Sequence, residues 1–292
     1  MIKPNVGIIG YGIVGKSVEL GFSRHCNIFI HDINPELNRN PLSEVVMGCD
    51  FIFVSIPTPF SLKDNITKTD CIDKVMIEIN LIAKNREINP IIIVKSAIVP
   101  RVVKYWVRNL KNIELVISPE YLAEKTHYHD FVNQKVMILG GNKLICEQVV
   151  KLFNQFSICN KTCKIGICRA EEAALIKYME NSFLGLKNIF NNQFKKYYDK
   201  FFGCEGDHQG FNNLMDVFYL DERMGISPTK YRVPGHDGDI GYGGKCIPKD
   251  IKTIIQEAKS ISADLTLMEN VDQINESIRT KKDWLEIKGA IE

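Results

Sequence analysis

The feature that most constrains the fold is the alternation of short apolar runs with segments of helical period along the first half of the chain. The runs have the near-continuous apolar content of strands that are covered on both faces, and they lie at residues 6–9, 27–31, 51–56, 91–95, 113–117 and 136–139. Helical or polar segments separate them. This order predicts an α/β domain whose parallel sheet carries helices on both faces.

The second half of the chain, after about Cys163, has a different pattern. Residues 171–198 place apolar side chains at helical spacing without a proline, and shorter helical segments follow at residues 210–220, 249–260 and 264–284. A loop rich in glycine and proline interrupts them at residues 225–244. We therefore predict a doubly wound parallel-sheet domain over residues 1–165, and a long helix with a smaller all-helical domain over residues 166–292.

Composition and charge narrow the choice of partners. The 37 Lys and Arg residues nearly balance the 35 Asp and Glu residues, so neither nucleic acid nor a membrane surface is an expected partner. The N-terminus lacks the pattern of an export signal, so we expect a cytoplasmic protein whose nine cysteines are thiols. No CxxC pair or nearby histidine completes a zinc set around Cys159, Cys163 and Cys168, so no metal site is expected.

A glycine motif, GYGIVG, follows the first predicted strand and opens a helix. Gly10 permits a tight turn, Gly12 lets the backbone approach a pyrophosphate, and Gly15 lets the helix pack closely on the strand. The other residues of the motif are Tyr11, Ile13 and Val14. Asp32 ends the next strand, where a carboxylate accepts from a ribose 2′-hydroxyl and repels a 2′-phosphate. We predict a Rossmann-type site for NAD; the alternative is a glycine-rich turn followed by a helix-capping aspartate.

Two further motifs lie at the carboxyl ends of predicted strands, where ligands bind in open α/β sheets. PTP contains Pro57 and Thr58, and KSA contains Ser96 and Ala97. Pro57, Thr58 and Ser96 are therefore candidates for the cofactor site. A rigid turn and a plain strand-to-helix loop explain the two motifs equally well from the residues alone.

Several polar residues are candidates for catalysis. Lys177 and Asn181 are four residues apart on the long predicted helix and share one face, although a solvated lysine with a polar neighbour fits as well. Glu120 and Glu124 follow a strand end, where one of them can act as a general base. A pair of exposed carboxylates at a helix start is the alternative for the two glutamates.

Cys246 lies in GYGGKCIPKD, between Lys245 and Lys249 and just before a predicted helix. A thiol at a glycine-rich helix entrance beside lysines favours the thiolate form, whereas a structural cysteine would lie among apolar residues. A thiolate beside a dinucleotide site suits one reaction in particular. An alcohol is oxidised to an aldehyde, the thiolate captures it as a thiohemiacetal, a second oxidation leaves a thioester, and water releases the acid. Lys177 and Asn181 would stabilise the oxyanions.

The chain resembles the UDP-glucose/GDP-mannose 6-dehydrogenase family in the motifs GYGIVG, VSIPTP, KSAIVPR, SPEYLAE, EEAALIKYMENSF, DERMG and GYGGKCIPKD. The resemblance implies that Cys246 is the nucleophile and that Lys177 and Asn181 stabilise oxyanions. It also implies that Glu120 is the base for thioester hydrolysis and that Asp250 positions the water.

The same resemblance implies the binding sites and the assembly. Arg223 would reach the substrate diphosphate of a partner subunit, and the segment of Tyr242, Gly243 and Gly244 would line the nucleotide sugar together with Glu120, Lys177 and Asn181. Glu124, Thr58 and Ser96 would lie near NAD. The long central helix would build a homodimer, and UDP-glucose is the expected substrate because it is the family's commonest.

Two departures from the family pattern matter. Ala97 stands where the family usually has a threonine that helps to hold the hydrolytic water, so hydrolysis is expected to be slower. We also expect this chain to lack the family's C-terminal nucleotide-binding domain, and the loop from Lys230 is a candidate to compensate. Two rival interpretations are a two-electron hydroxyacid dehydrogenase of the 6-phosphogluconate type and a non-catalytic NAD-binding relic.

Overall fold

The computed structural model describes residues 3–122, 124–225 and 232–292. The chain forms two compact units. The first comprises Met1–Thr58 and Lys68–Lys177, and the second comprises Pro59–Thr67 and Tyr178–Glu292. The predicted domain boundary after residue 165 falls inside a strand of the first unit, whose sheet continues to residue 168.

Nine strands occur among the described residues. They are β1 (Asn5–Ile9), β2 (Asn27–His31), β3 (Phe51–Val54), β4 (Phe60–Ser61), β5 (Ile66–Thr67), β6 (Ile91–Val94), β7 (Glu114–Ile117), β8 (Val136–Gly141) and β9 (Lys164–Cys168). Seven of them form one sheet in the order β2-β1-β3-β6-β7-β8-β9, which confirms the predicted α/β class. The predicted parallel arrangement needs one correction, because β8 runs antiparallel to β7. Between these two strands, the described residues form a short 3-10 helix (Glu124–Thr126) and a short α-helix (His127–Val132), and the latter packs on the helix Ile13–Phe22.

Within the described residues of the first unit there are six α-helices and the start of a seventh. The six are α1 (Ile13–Phe22), α2 (Leu42–Gly48), α3 (Asp70–Ala83), α4 (Pro100–Asn109), α5 (His127–Val132) and α6 (Lys143–Phe156). The two faces of β3 pack into different apolar clusters. Ile52 and Val54 belong to one cluster and Phe53 belongs to the other. This two-sided burial explains why the central strands read as continuous apolar runs.

The second unit packs its helices on one another. It contains most of α7 (Ala170–Phe202), then α8 (His208–Phe218), α9 (Ile247–Ser260) and α10 (Thr266–Ile278). An apolar cluster that includes Ile189, Ile251 and Val271 joins α7, α9 and α10. The β4–β5 hairpin also belongs to this unit, and its Phe60 exchanges backbone hydrogen bonds with Ala290 and Glu292 near the end of the chain.

Several elements differ from the predictions. The pattern did not reveal α2, α5, β9 or the β4–β5 hairpin. Strand β9 is half exposed and begins and ends with polar or small residues, so it lacks the apolar signature of the central strands. Helix α10 was predicted to reach residue 284 but ends at Ile278, because Arg279 has an extended backbone and its side chain turns towards an acidic loop.

Candidate active site

The glycine motif forms the loop between β1 and α1 as the sequence predicted. Gly10 has a φ of +88°, and a Cβ added there would lie 2.5 Å from the carbonyl oxygen of Ser55. A Cβ on Gly15 would overlap the carbonyl oxygen of Gly10, so helix and strand touch only because Gly15 has no side chain. A Cβ on Gly12 would meet nothing within 4 Å. The backbone at Gly12, the N-cap of α1, therefore faces space that a phosphate can enter, which fits a bound dinucleotide.

Asp32 lies directly after β2 and is joined to this loop. Its Oδ2 accepts a hydrogen bond from the Tyr11 backbone N–H at 2.6 Å, and its Oδ1 accepts from the Asn34 N–H at 2.8 Å. Each carboxylate oxygen keeps a further lone pair for a ribose hydroxyl. The sequence could not show that the same carboxylate also fixes the backbone of the glycine loop.

The remaining residues of the motif have different surroundings. The Tyr11 ring is buried, and its hydroxyl forms hydrogen bonds with Glu19 and Arg39. Ile13, the first residue of α1, is exposed, and Val14 is half-buried. Tyr11 is therefore held by protein contacts, whereas Ile13 borders the open side of the loop.

The PTP and KSA motifs connect the ends of β3 and β6. The Ser96 hydroxyl donates to the Ile56 carbonyl at 2.7 Å and accepts from the Ile56 N–H at 2.9 Å. The Thr58 hydroxyl donates to the Ala97 carbonyl at 2.8 Å, and Pro57 is exposed. The two hydroxyls fix the strand ends, and contact of these residues with NAD stays a prediction.

Glu120 and Lys177 lie together in the first unit. The Lys177 ammonium donates to the backbone carbonyl of Glu120 at 2.7 Å and lies 5.0 Å from the centre of the Tyr121 ring. The Glu120 Oε2 accepts from the Leu122 N–H at 2.6 Å. Glu124 begins a short 3-10 helix, but its side chain lies outside the described part of the structure.

Lys95 is a neighbour of these residues to which sequence reasoning assigned no role. Its side chain is buried at the end of β6, and its ammonium donates to the Ser118 hydroxyl at 3.3 Å. The sequence feature that could have pointed to Lys95 is a lysine at the end of an apolar strand, in the KSA motif.

Cys246 is the N-cap of α9 in the second unit and is half-exposed. The first turn of α9 carries Asp250, whose backbone N–H donates to the Cys246 carbonyl at 2.9 Å. A thiolate at this position faces the positive end of the helix dipole. The structure therefore places the thiol at the helix entrance that the sequence predicted.

The Asp250 carboxylate is 1% exposed and accepts two short hydrogen bonds. Asn181 donates to its Oδ2 and Lys249 to its Oδ1, each at 2.5 Å. The ion pair with Lys249, which the sequence did not indicate, compensates for burying the Asp250 charge. Asn181 and Asp250, far apart in the sequence, are thus brought into direct contact one turn from Cys246.

The loop before Cys246 is held by three side chains that are four residues apart, and we call Asn275, Arg279 and Asp283 the loop clamp. Asn275 forms two hydrogen bonds with the backbone of Tyr242, and Asp283 accepts from the Gly244 N–H at 3.1 Å. Arg279 is buried and pairs with Asp237 at 2.5 Å. Cβ atoms on Gly241 and Gly243 would overlap Asn275 and Arg279, which explains these two glycines.

Tyr242 and Arg223, two predicted substrate-binding residues, form contacts within the protein through their side chains. The Tyr242 ring is buried and its hydroxyl donates to Asp272 at 3.3 Å, so burial followed by the Asp272 charge raises the pKa of Tyr242. Arg223 is exposed on a 3-10 turn, and its guanidinium pairs with Asp221 at 2.5 Å. The start of the proposed compensating loop, residues 230–231, lies outside the described residues.

All nine cysteines are thiols in the structure. Among the described residues, no group of three or more histidine, cysteine or carboxylate side chains is arranged to hold a metal ion. No helix in the described part of the chain combines the length and the apolar content that crossing a membrane requires.

Family models match both halves of the chain. Residues 36–157 match the NAD binding domain of the UDP-glucose/GDP-mannose dehydrogenase family, and residues 171–277 match its central domain. The cofactor is therefore NAD, as predicted from the glycine motif and Asp32.

Two curated relatives are similar in sequence over most of this chain. The chain is 26% identical over 249 residues to the UDP-glucose 6-dehydrogenase TuaD of Bacillus subtilis, covering 82% of this chain and 49% of the relative. It is 26% identical over 237 residues to the UDP-glucose 6-dehydrogenase of Campylobacter jejuni, covering 81% and 56%. The chain thus spans about half the length of these curated relatives.

A solved structure shares the fold. The UDP-glucose dehydrogenase of the archaeon Pyrobaculum islandicum superposes with a TM-score of 0.77 at 18% identity, over 94% of this chain and 68% of the other.

Proposed function

The chain belongs to the UDP-glucose/GDP-mannose dehydrogenase family, and we propose from this that it oxidises the C6 alcohol of a nucleotide sugar to a carboxylate, with UDP-glucose as the favoured substrate. The observation that carries the proposal is the position of Cys246 at the N-terminus of α9, one turn from the buried pair of Asn181 and Asp250. A two-electron dehydrogenase has no use for such a thiolate.

NAD, when bound, would supply the hydride acceptor for the two oxidations, and the residues of this chain would bind the cofactor and stabilise the charges that develop. Gly10, Gly12 and Gly15 shape the loop that would hold its pyrophosphate, and Asp32 would accept from its ribose. In the first oxidation, the C6 hydroxyl loses a proton and C6 loses a hydride, which gives an aldehyde. Lys177 and Asn181 would donate hydrogen bonds to the oxygen that carries the developing negative charge.

Covalent capture links the two oxidations. The Cys246 thiolate adds to the aldehyde carbon, and the resulting alkoxide takes up a proton to give a thiohemiacetal. A second oxidation, in which this carbon would lose a hydride to the cofactor and its hydroxyl would lose a proton to solvent, gives a thioester. Because the carbon stays bonded to sulfur, the aldehyde does not escape between the two steps.

Hydrolysis of the thioester completes the cycle. Glu120 would take a proton from water while the water oxygen bonds to the acyl carbon. The carbon–sulfur bond then breaks and releases the carboxylate and the Cys246 thiolate. Asp250 would orient this water, because its oxygens retain lone pairs beyond the bonds from Asn181 and Lys249. Ala97 supplies no hydroxyl to this step, so we expect hydrolysis to limit the turnover rate.

Substrate binding and assembly form part of the same proposal. Arg223 would reach the diphosphate bound to a partner subunit, since its guanidinium is exposed and its partner among the described residues is the surface carboxylate of Asp221. The segment from Tyr242 to Gly244 would contact the nucleotide sugar through its backbone, because the Tyr242 ring is buried. The long helix α7 would build a homodimer.

The test is the stoichiometry of NADH release from a panel of nucleotide sugars. We expect two NADH per sugar consumed and a uronate product. Cys246→Ser should lose carboxylate formation, whereas Cys204→Ser, which changes a partly exposed thiol elsewhere in the second unit, should behave as the wild type. One NADH per substrate, or an unimpaired Cys246→Ser enzyme, would contradict the proposal and favour the two-electron alternative.

A further inference from the structure

Lys95 is a buried cation at the carboxyl end of β6, and the reaction steps above do not use it. Its side chain is 5% exposed. The ammonium donates to the Ser118 hydroxyl at 3.3 Å and to the Pro119 carbonyl at 3.5 Å, both neutral acceptors at long distance. These bonds compensate poorly for the loss of water around a full charge.

The charged and titratable groups around Lys95 come from several elements of the first unit. Burial lowers the pKa of Lys95 to about 8; the Glu120 charge raises it, and the Lys177 cation lowers it further. Cys159 and Cys163 also face this ammonium. A residue kept for stability would not be a lysine here, because an apolar side chain of similar length would fill the space without the penalty for burying a charge.

Lys95 and Lys177 together hold three consecutive residues. Lys95 binds the side chain of Ser118 and the carbonyl of Pro119, and Lys177 binds the carbonyl of Glu120 at 2.7 Å. The turn that carries the Glu120 carboxylate is therefore fixed by two ammonium groups that reach it from β6 and α7.

We propose that Lys95 is a positioning residue for Glu120. The Lys95 ammonium holds Glu120 in place for thioester hydrolysis. This inference rests on the base role assigned to Glu120 in the proposed function. Protonated Lys95 holds the Ser118–Glu120 turn through hydrogen bonds and attracts the Glu120 carboxylate. The neutral amine loses the attraction and one donor, so hydrolysis slows while the two oxidations continue.

The first experiment replaces Lys95 by methionine in the full chain, with Lys104→Met on the exposed face of α4 as the matched control. We expect Lys95→Met to lower the steady-state rate of NADH release at least about tenfold, in keeping with the size of general-base effects. Intact-protein mass spectrometry should show more enzyme carrying the acyl adduct on Cys246 than in the wild type. The thermal midpoint should stay equal or rise, and the control should change neither quantity.

The second experiment is the pH profile. The wild-type rate should fall as the pH rises through about 8, because Lys95 then loses its proton. Lys95→Arg keeps a positive charge at every pH measured, so this decline should disappear or move to higher pH.

Three results would overturn the inference. These are a Lys95→Met enzyme with wild-type rates, a rate loss matched by a lower thermal midpoint, or the same alkaline decline in Lys95→Arg. A wild-type enzyme that releases no NADH from any nucleotide sugar would instead overturn the proposed function, and the role of Glu120 with it.

Discussion

At the scale of single residues, the three glycines of the GYGIVG loop have different reasons to be glycine. Gly10 has a backbone conformation that side chains strain, and Gly15 is in direct contact with the Gly10 carbonyl. Gly12 has an ordinary φ of −78° and open space beside it. The fold therefore explains Gly10 and Gly15, whereas for Gly12 we propose that the pyrophosphate of the cofactor is the reason.

This difference predicts opposite behaviour for two similar substitutions. Gly12→Ala should leave the free energy of unfolding within about 0.5 kcal/mol of the wild type, as expected away from packed contacts, but weaken NAD binding. Gly15→Ala should lower the free energy of unfolding by about 1–3 kcal/mol, because the added methyl overlaps the Gly10 carbonyl. Urea denaturation and calorimetric titration with NAD measure the two quantities. Unchanged NAD affinity in Gly12→Ala would argue against a pyrophosphate beside this glycine.

At the scale of elements, the end of α10 shapes the loop that leads to Cys246. Arg279 reaches Asp237 at 2.5 Å, Asp283 at 3.4 Å and Asp239 at 3.8 Å. Burial opposes ionisation of Asp237 and Asp239, but the pKa of each is lowered. For Asp237 the hydrogen bond from Arg279, together with those from backbone N–H groups, outweighs burial. For Asp239 the bonds from backbone N–H groups and the Arg279 charge outweigh it. Because these folded-state pKa values are lowered, their stabilising effect is present at neutral pH and is lost as the pH falls through them.

The loop clamp yields a prediction in which a substitution affects the second unit but not NAD binding by the first. Arg279→Met should leave three carboxylates without their shared cation and lower the free energy of unfolding of the second unit by about 3–5 kcal/mol. Catalytic efficiency should fall at least tenfold, whereas the Kd for NAD, whose site lies in the first unit, should stay unchanged.

Fluorescence-monitored denaturation and steady-state kinetics check this outcome, with the exposed Lys288→Met as control. If Arg279→Met turned over as fast as the control, the clamp would have no part in presenting Cys246.

At the scale of the whole molecule, α7 carries an unusual exposed face. Five aromatic side chains of this helix are exposed, and they follow one another at successive intervals of seven, four, three and four residues, which keeps them on one side of the helix: Phe183, Phe190, Phe194, Tyr197 and Phe201. Contiguous apolar surface of this kind marks interaction sites in proteins. A second copy of α7 is the partner that the proposed homodimer requires.

The prediction is that the protein is a dimer in solution and that a charge on this face separates it. Phe194→Glu and Phe201→Glu should shift the mass measured by light scattering from the dimer towards the monomer. Tyr105→Glu, which changes an exposed aromatic residue of α4, should leave the mass at the dimer value. A monomeric wild type, or dimers in both α7 variants, would show that this face does not join two copies.

Much of the fold and part of the site follow from local chemistry. Apolar runs between helical segments specified the parallel core strands, since the same residues are buried on both faces of the sheet. The glycine motif and Asp32 predicted an NAD site because turn, helix start and carboxylate lie within a single strand–helix–strand segment, and contact of these residues with NAD stays a prediction. Cys246 was a candidate nucleophile for the same reason, because it adjoins glycines, lysines and the start of α9.

What only the tertiary structure decided are contacts between residues far apart in the sequence. The antiparallel β8, the pairing of β4 with the last residues, the Lys249–Asp250–Asn181 group and the loop clamp all depend on such contacts. The burial of Lys95 against Ser118 belongs to the same class. The sequence by itself determined which local elements form and which reactive groups they carry. Packing decided which charges lie in low dielectric and which partners compensate them, because burial is a property of all the chain segments that meet at a point.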